Sequence, residues 1–151
     1  MKIGIASDHG GYELKNLLKQ RLTDLKYEVI DFGNQNYDPN DDFPDYVIPL
    51  ANAVVENKID RGIAVCGSGI GATIAANKIH GTRAGLVHDC FSAHQGVEDD
   101  DMNIICFGGR VIGAEVAWEI TKTFMNAKFS GIERHKRRLN KIYVVENHFF
   151  G

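Results

Sequence analysis

Residues 62–73 read Gly62-Ile63-Ala64-Val65-Cys66-Gly67-Ser68-Gly69-Ile70-Gly71-Ala72-Thr73. An apolar run of strand character ends in a cysteine, and glycines spaced G-x-G-x-G lead into a helical pattern over 70–79. A strand that turns directly into a helix is the repeating unit of a parallel α/β sheet. Such a turn aims backbone N–H groups and the head of the helix at one spot, which favours negative charge. The same field favours a thiolate at Cys66, making it a candidate acid–base or nucleophilic group. The plain structural alternative is a tight turn beside a buried, inert cysteine.

On both sides of this unit, short β-branched runs alternate with helical spacing. Residues 2–6 form a first strand, and Leu14, Leu17, Leu18, Leu22 and Leu25 mark the helix after it. A second strand over 29–32 is followed by a polar loop over 34–42 and a helix from Asp45 onward. The third strand is 62–65, the fourth 83–88 and the fifth 103–107, with a short helix over 90–97 between the last two. Helices over 113–125, carrying Trp118, and over 132–146 complete the pattern. This alternation predicts a Rossmann-like three-layer α/β sandwich, a five-stranded parallel sheet with helices on both faces, in one domain over 1–151. Ligands of such open sheets sit at the carboxyl ends of the strands.

Seventeen Lys and Arg against twenty Asp and Glu give a net charge of −3, which argues against general nucleic-acid binding. No apolar stretch approaches a membrane span and no leader-like segment follows Met1-Lys2, so a cytoplasmic location is expected. Cys66, Cys90 and Cys106 are odd in number and lack CxxC spacing, against both a disulfide framework and a zinc site. The run Glu98-Asp99-Asp100-Asp101 lacks calcium-loop spacing and reads as a solvated loop; neither a metal nor a cofactor is expected.

Asp8-His9-Gly10-Gly11 follows the first strand. Asp8 and His9 form a candidate carboxylate–imidazole pair; the alternative is a helix cap. The turn at Cys66 is no dinucleotide fingerprint, lacking G-x-G-x-x-G and an acidic ribose ligand, and no Walker loop, lacking Gly-Lys-Ser/Thr. Cys106 reads as core packing within the fifth strand, and nothing near Cys90 activates it. Arg134 and Arg138 are four apart in a basic run, placing both on one helix face, either to clamp a phosphate or as a solvated surface. Arg110, after the fifth strand, is a further candidate anion ligand.

Asp8-His9-Gly10-Gly11, Cys66-Gly67-Ser68-Gly69-Ile70-Gly71, Ala75-Ala76-Asn77-Lys78 and Arg134-His135-x-x-Arg138, in this order, resemble the type B ribose-5-phosphate isomerase and galactose-6-phosphate isomerase family. The resemblance runs from Lys2 to about Ile142. It implies a cofactor-free aldose–ketose isomerase of phosphorylated sugars, foremost ribose 5-phosphate to ribulose 5-phosphate, working through a cis-enediolate. By that resemblance Cys66 is the base for the carbon-bound proton, and Ser68 with the N–H groups of Gly67, Gly69 and Gly71 stabilises the enediolate. Asp8 binds sugar hydroxyls and assists ring opening, while His9, Arg134 and Arg138 hold the phosphate. Arg110 matches a family arginine in the site, and Asn103 is grouped with it as substrate-binding. The resemblance also implies a homodimer or homotetramer whose sites are completed between subunits, with the last helix packing on a neighbour.

One position departs from the pattern. Asp99 stands where the family carries a histidine assigned to ring opening. Asp99 itself, His88 or His94 are the replacements within reach of that role. A four-carbon sugar phosphate, which cannot close a furanose ring, would not need it, and a six-carbon substrate is a further alternative. A non-catalytic sugar-phosphate binder and a flavodoxin-like nucleotide module are the readings from other classes.

Overall fold

The computed structural model describes residues 1–150, with side chains described through residue 148. Its elements follow the expected alternation: β1 (Lys2–Ser7), α1 (Tyr12–Asp24), β2 (Glu28–Asp31), α2 (Pro44–Val55), β3 (Arg61–Cys66) and α3 (Ile70–Ala76) form the first half. The second half is β4 (Ala84–Leu86), α4 (Cys90–Asp100), β5 (Ile104–Gly108), α5 (Ala114–Asn126) and α6 (Glu133–Phe150). The five strands pair in parallel in the order β2-β1-β3-β5-β4. The chain therefore winds outward from β1 to β2, then crosses back to β3 and winds the other way. The reversal lies between β1 and β3, and a crevice opens at their carboxyl ends because the connections there leave in opposite directions.

The central strands are buried on both faces, so they read as continuous apolar runs. Ile3, Ile5, Ile63, Val65, Ile105 and Phe107 face α1, α4 and α5 through Leu18, Leu22, Ala93, Val97, Ile120 and Phe124. Ala6, Ala64, Cys66, Ile104 and Cys106 face the other way, onto Val47, Leu50 and Val54 of α2 and Ala72 and Ala76 of α3. The small residues of this second face let α2 and α3 approach closely, and they put the Cys66 side chain under the α3 turn.

Three boundaries differ from expectation with consequences for function. The helix expected over 70–79 ends at Ala76, so it is two turns long and its local N–H groups matter more than any long-range dipole. The helix expected over 90–97 continues to Asp100, closed by Asp101 in the left-handed region (φ 50°). The acidic run is thus a helix end rather than a loop, and Arg83 offsets its charge by donating to the Asp101 carbonyl (2.6 Å) and carboxylate (2.8 Å). The fourth strand shrinks from 83–88 to Ala84–Leu86, as befits an edge with a single partner.

Candidate active site

The register places the ends of three strands side by side. Ser7 pairs with Val65 and Cys66 with Gly108, so Asp8, Cys66 and Gly109-Arg110 emerge together at the carboxyl edge. Their connections are hydrogen-bonded to one another: Gly109 N–H donates to the Cys66 carbonyl (2.8 Å) and Arg110 N–H to the Gly67 carbonyl (3.0 Å). Gly10 packs so tightly on the next turn that a Cβ there would come within 2.6 Å of the Gly67 nitrogen. A cleft of about 460 Å³ results, lined by Asp8, Phe43, Cys66, Ser68, Gly71 and Arg110 among others.

Within it the Cys66 sulfur accepts the Gly69 N–H at 3.0 Å. Cys66 retains a sliver of accessible surface, 5%, whereas Cys106 on the neighbouring strand has none. Burial pushes the Cys106 thiol up to about 12, so it stays protonated and its role is packing. The Ser68 side chain is exposed, with its Oγ accepting the Ile70 N–H at 3.3 Å, which leaves the hydroxyl hydrogen to turn toward a ligand. The Arg110 guanidinium lies over Gly67.

Asp8 satisfies both readings of its sequence. Its Oδ1 accepts the Gly10 N–H at 2.9 Å and caps the single 3-10 turn His9–Gly11, yet the side chain also lines the cleft. Burial raises its pKa above the ordinary aspartate range, with Asp41 adding to the rise and the Gly10 and Gly11 N–H groups and His9 opposing it. A carboxyl raised in this way is suited to proton exchange with sugar hydroxyls.

His9 is held by a residue of the polar loop over 34–42. Asp41 Oδ1 accepts the His9 backbone N–H at 2.9 Å and lies 2.7 Å from Nδ1. Asp8, His9 and Asp41 offer donor atoms within 4.8 Å of one another, a spacing that suits a cation. However, the Asp41 oxygens are already engaged by His9 and by Asn34 Nδ2, so the cluster is a hydrogen-bonded one.

The remaining predicted residues lie elsewhere in the chain. Asp99 falls in the last turn of α4, which starts beside the carboxyl end of β4 and runs back, so it sits at the amino end of the sheet. Asn103 precedes β5 at that same end; its side chain bridges the Gly81 carbonyl and the Arg83 N–H and does not face the cleft. Arg134 donates to His135 Nε2 at 3.0 Å, and that nitrogen is 3.4 Å from Asp99. Arg138, one turn further, is exposed beside them. From Asn103 to Gly109 is six strand steps, about 20 Å at roughly 3.3 Å each. Within a single chain, Asp99 and Asn103 therefore lie at the opposite end of the sheet from Cys66. Of the alternative histidines, His88 lies at the carboxyl end but its Nε2 accepts the Gly108 N–H at 3.1 Å. His94 is on the exposed side of α4, 3.2 Å from Glu98.

The sequence profile of the ribose/galactose isomerase family matches residues 3–142, a range that includes Asp8, Cys66, Asp99, Arg134 and Arg138. The chain belongs to that family. Membership places it among enzymes that isomerise phosphorylated sugars. Ribose-5-phosphate isomerase B of Clostridium thermocellum is 43% identical and superposes with a TM-score of 0.95, over 99% of each chain. The Mycoplasma genitalium ribose-5-phosphate isomerase B, solved with bound ribulose 5-phosphate, is 37% identical with a TM-score of 0.92, over 97% of this chain and 96% of its own. A D-erythrulose-4-phosphate isomerase of Pectobacterium atrosepticum is 38% identical over 87% of this chain and 86% of its own. Among the described residues no helix is long and apolar enough to cross a membrane.

Proposed function

We propose that this family member interconverts ribose 5-phosphate and ribulose 5-phosphate, in the cytoplasm and within pentose phosphate metabolism. The observation that carries the reading is the Cys66 sulfur, set at the topological switch point with an N–H donor 3.0 Å away. The Cys66 thiolate takes the proton from C2 of the open-chain aldose, giving a thiol and an enediolate. The same thiol returns the proton to C1 as the carbonyl forms at C2, with the proton leaving O2 taken up by O1. The N–H groups of Gly67 and Gly71, the Ser68 hydroxyl and Arg110 face the oxygens on which negative charge develops, where preorganised donors are most effective. Asp8 exchanges protons with the sugar hydroxyls.

The phosphate is held by His9 of one chain and by Arg134 and Arg138 of a second, in a homodimer. Two features support this. The arginines and Asp99 are displaced from Cys66 of their own chain by the length of the sheet. The flank of α6 also exposes Ile142, Val144 and Val145, and α3 exposes Ile70 and Ile74, which is the apolar surface a second copy would cover.

A second reading, a tetrose phosphate substrate, is favoured by Asp99 in place of the ring-opening histidine and by the erythrulose-named relative. A coupled assay across erythrose 4-phosphate, ribose 5-phosphate and galactose or allose 6-phosphate decides between them. Highest kcat/KM with ribose 5-phosphate supports the first reading, and highest with the tetrose the second. Turnover of none of them refutes both.

A further inference from the structure

The mechanism above gives no part to Asp41, yet its surroundings are built with care for a loop residue. The Asp41 side chain is 5% exposed. Beyond its two contacts to His9, its Oδ2 accepts from Asn34 Nδ2, and the Tyr46 phenol faces the same carboxylate. The Asn34 carbonyl in turn accepts from Lys15 Nζ at 2.8 Å. Lys15 is wholly buried and anchored on Asp31 at 3.0 Å. A chain of contacts thus runs from the α1 core to one face of the His9 ring.

The consequence for His9 follows from donor and acceptor chemistry. A carboxylate only accepts hydrogen bonds, so the ring nitrogen against it, Nδ1, carries a hydrogen. Nε2 is then the nitrogen left for a ligand. The ring packs edge-on to Tyr37, with centroids 6.4 Å apart, and lines a hollow with Gly109 and Arg110, the last of which also lines the Cys66 cleft. A carboxylate on Nδ1 fixes an imidazole's orientation and tautomer.

We propose that Asp41 is the positioning residue of His9, holding the ring with Nδ1 inward so that Nε2 meets the phosphate of the substrate. The inference rests on the reading of His9 as a phosphate ligand, and the tests keep the two apart. In the intact protein, Asp41→Asn raises KM for ribose 5-phosphate and Ki for inorganic phosphate about tenfold, the scale of one hydrogen bond to a charged group, with kcat within about twofold. In a His9→Asn background the same substitution changes neither value, because Asp41 acts through the ring. Nitrogen-15 NMR of His9 in its neutral form shows the hydrogen on Nδ1 in the native protein and a shift toward Nε2 in Asp41→Asn. An equal loss in the His9→Asn background, an unchanged phosphate Ki, or a neutral His9 with its hydrogen on Nε2 overturns the proposal. If the native protein turns over no sugar phosphate, the functional reading fails by itself. Phosphate affinity by calorimetry and the NMR signature then still decide the role of Asp41.

Discussion

Gly69→Ala tests the geometry of the Cys66 turn in one substitution. Gly69 has φ +81°, a conformation that costs an L-residue roughly 1–2 kcal/mol. A Cβ there would also meet the Phe107 carbonyl carbon and oxygen at 2.7 and 2.8 Å and Leu86 Cδ1 at 2.5 Å. The leucine can rotate aside, but the β5 backbone cannot, and overpacking of that kind adds about 1–3 kcal/mol. A loss of about 3 kcal/mol follows, which for a chain of this size lowers Tm by roughly 6–12 °C. The turn must shift to relieve the clash, drawing the Gly69 N–H away from the Cys66 sulfur, and kcat falls about a hundredfold or more, as for loss of one preorganised donor. Gly71→Ala is the comparison for stability alone, because Gly71 itself lines the cleft. Its Cβ meets only the Phe43 ring, at 2.8–3.2 Å, and alanine suits the α3 interior. Calorimetry on both variants and steady-state kinetics on Gly69→Ala decide the point. Equal Tm and equal kcat for Gly69→Ala and the native protein would refute the account of this turn.

Asp8→Asn is expected to raise Tm near neutral pH while removing activity, since burial raises the folded pKa of Asp8 and folding then disfavours its ionised form. The gain fades as pH falls toward the ordinary aspartate range, and a variant less stable at pH 7 contradicts it. Lys15→Met leaves Asp31 in the interior with only Lys19 beside it, an expected loss of about 3 kcal/mol by chemical denaturation. In the native protein burial would raise the Asp31 pKa, but Lys19, Lys15 and the Gly33 N–H outweigh it and hold it low. That stability is present above the ordinary aspartate range and is lost as pH falls through the lowered value, so Lys15→Met unfolds at a less acid pH. Cys106→Ala keeps kcat/KM within about threefold, as its fully buried thiol stays protonated; a hundredfold loss would mean that the two cysteines act together.

The sheet was legible because its central strands are apolar on both faces, and the runs around Ile5, Val65 and Ile105 have no other physical home. Cys66 was legible for the same reason: a residue between a strand end and a glycine turn in a parallel sheet faces the crevice. The distance of Asp99 and Asn103 from Cys66 of their own chain was legible in principle, since both precede the fifth strand. Residues that precede a parallel strand lie at its amino end, and that rule was available from the sequence. Asp41 was not legible. Nothing local separates it from Asp38, Asp42 or Asp45, and its role depends on a contact 32 residues away that only the folded chain makes. The length of α3 escaped as well, because the helical pattern over 70–79 continues past Ala76 although the helix itself stops there.

The central claim is that Cys66 carries the proton between two carbons of a phosphorylated sugar. Single-turnover and steady-state kinetics of Cys66→Ala with ribose 5-phosphate, alongside calorimetric binding of the same sugar, test it most directly. The account predicts a fall in kcat of about 10³-fold or more, within the range of a lost general base or greater, with sugar affinity within about threefold and the fold unchanged by circular dichroism. A Cys66→Ala protein that retains native kcat would contradict it.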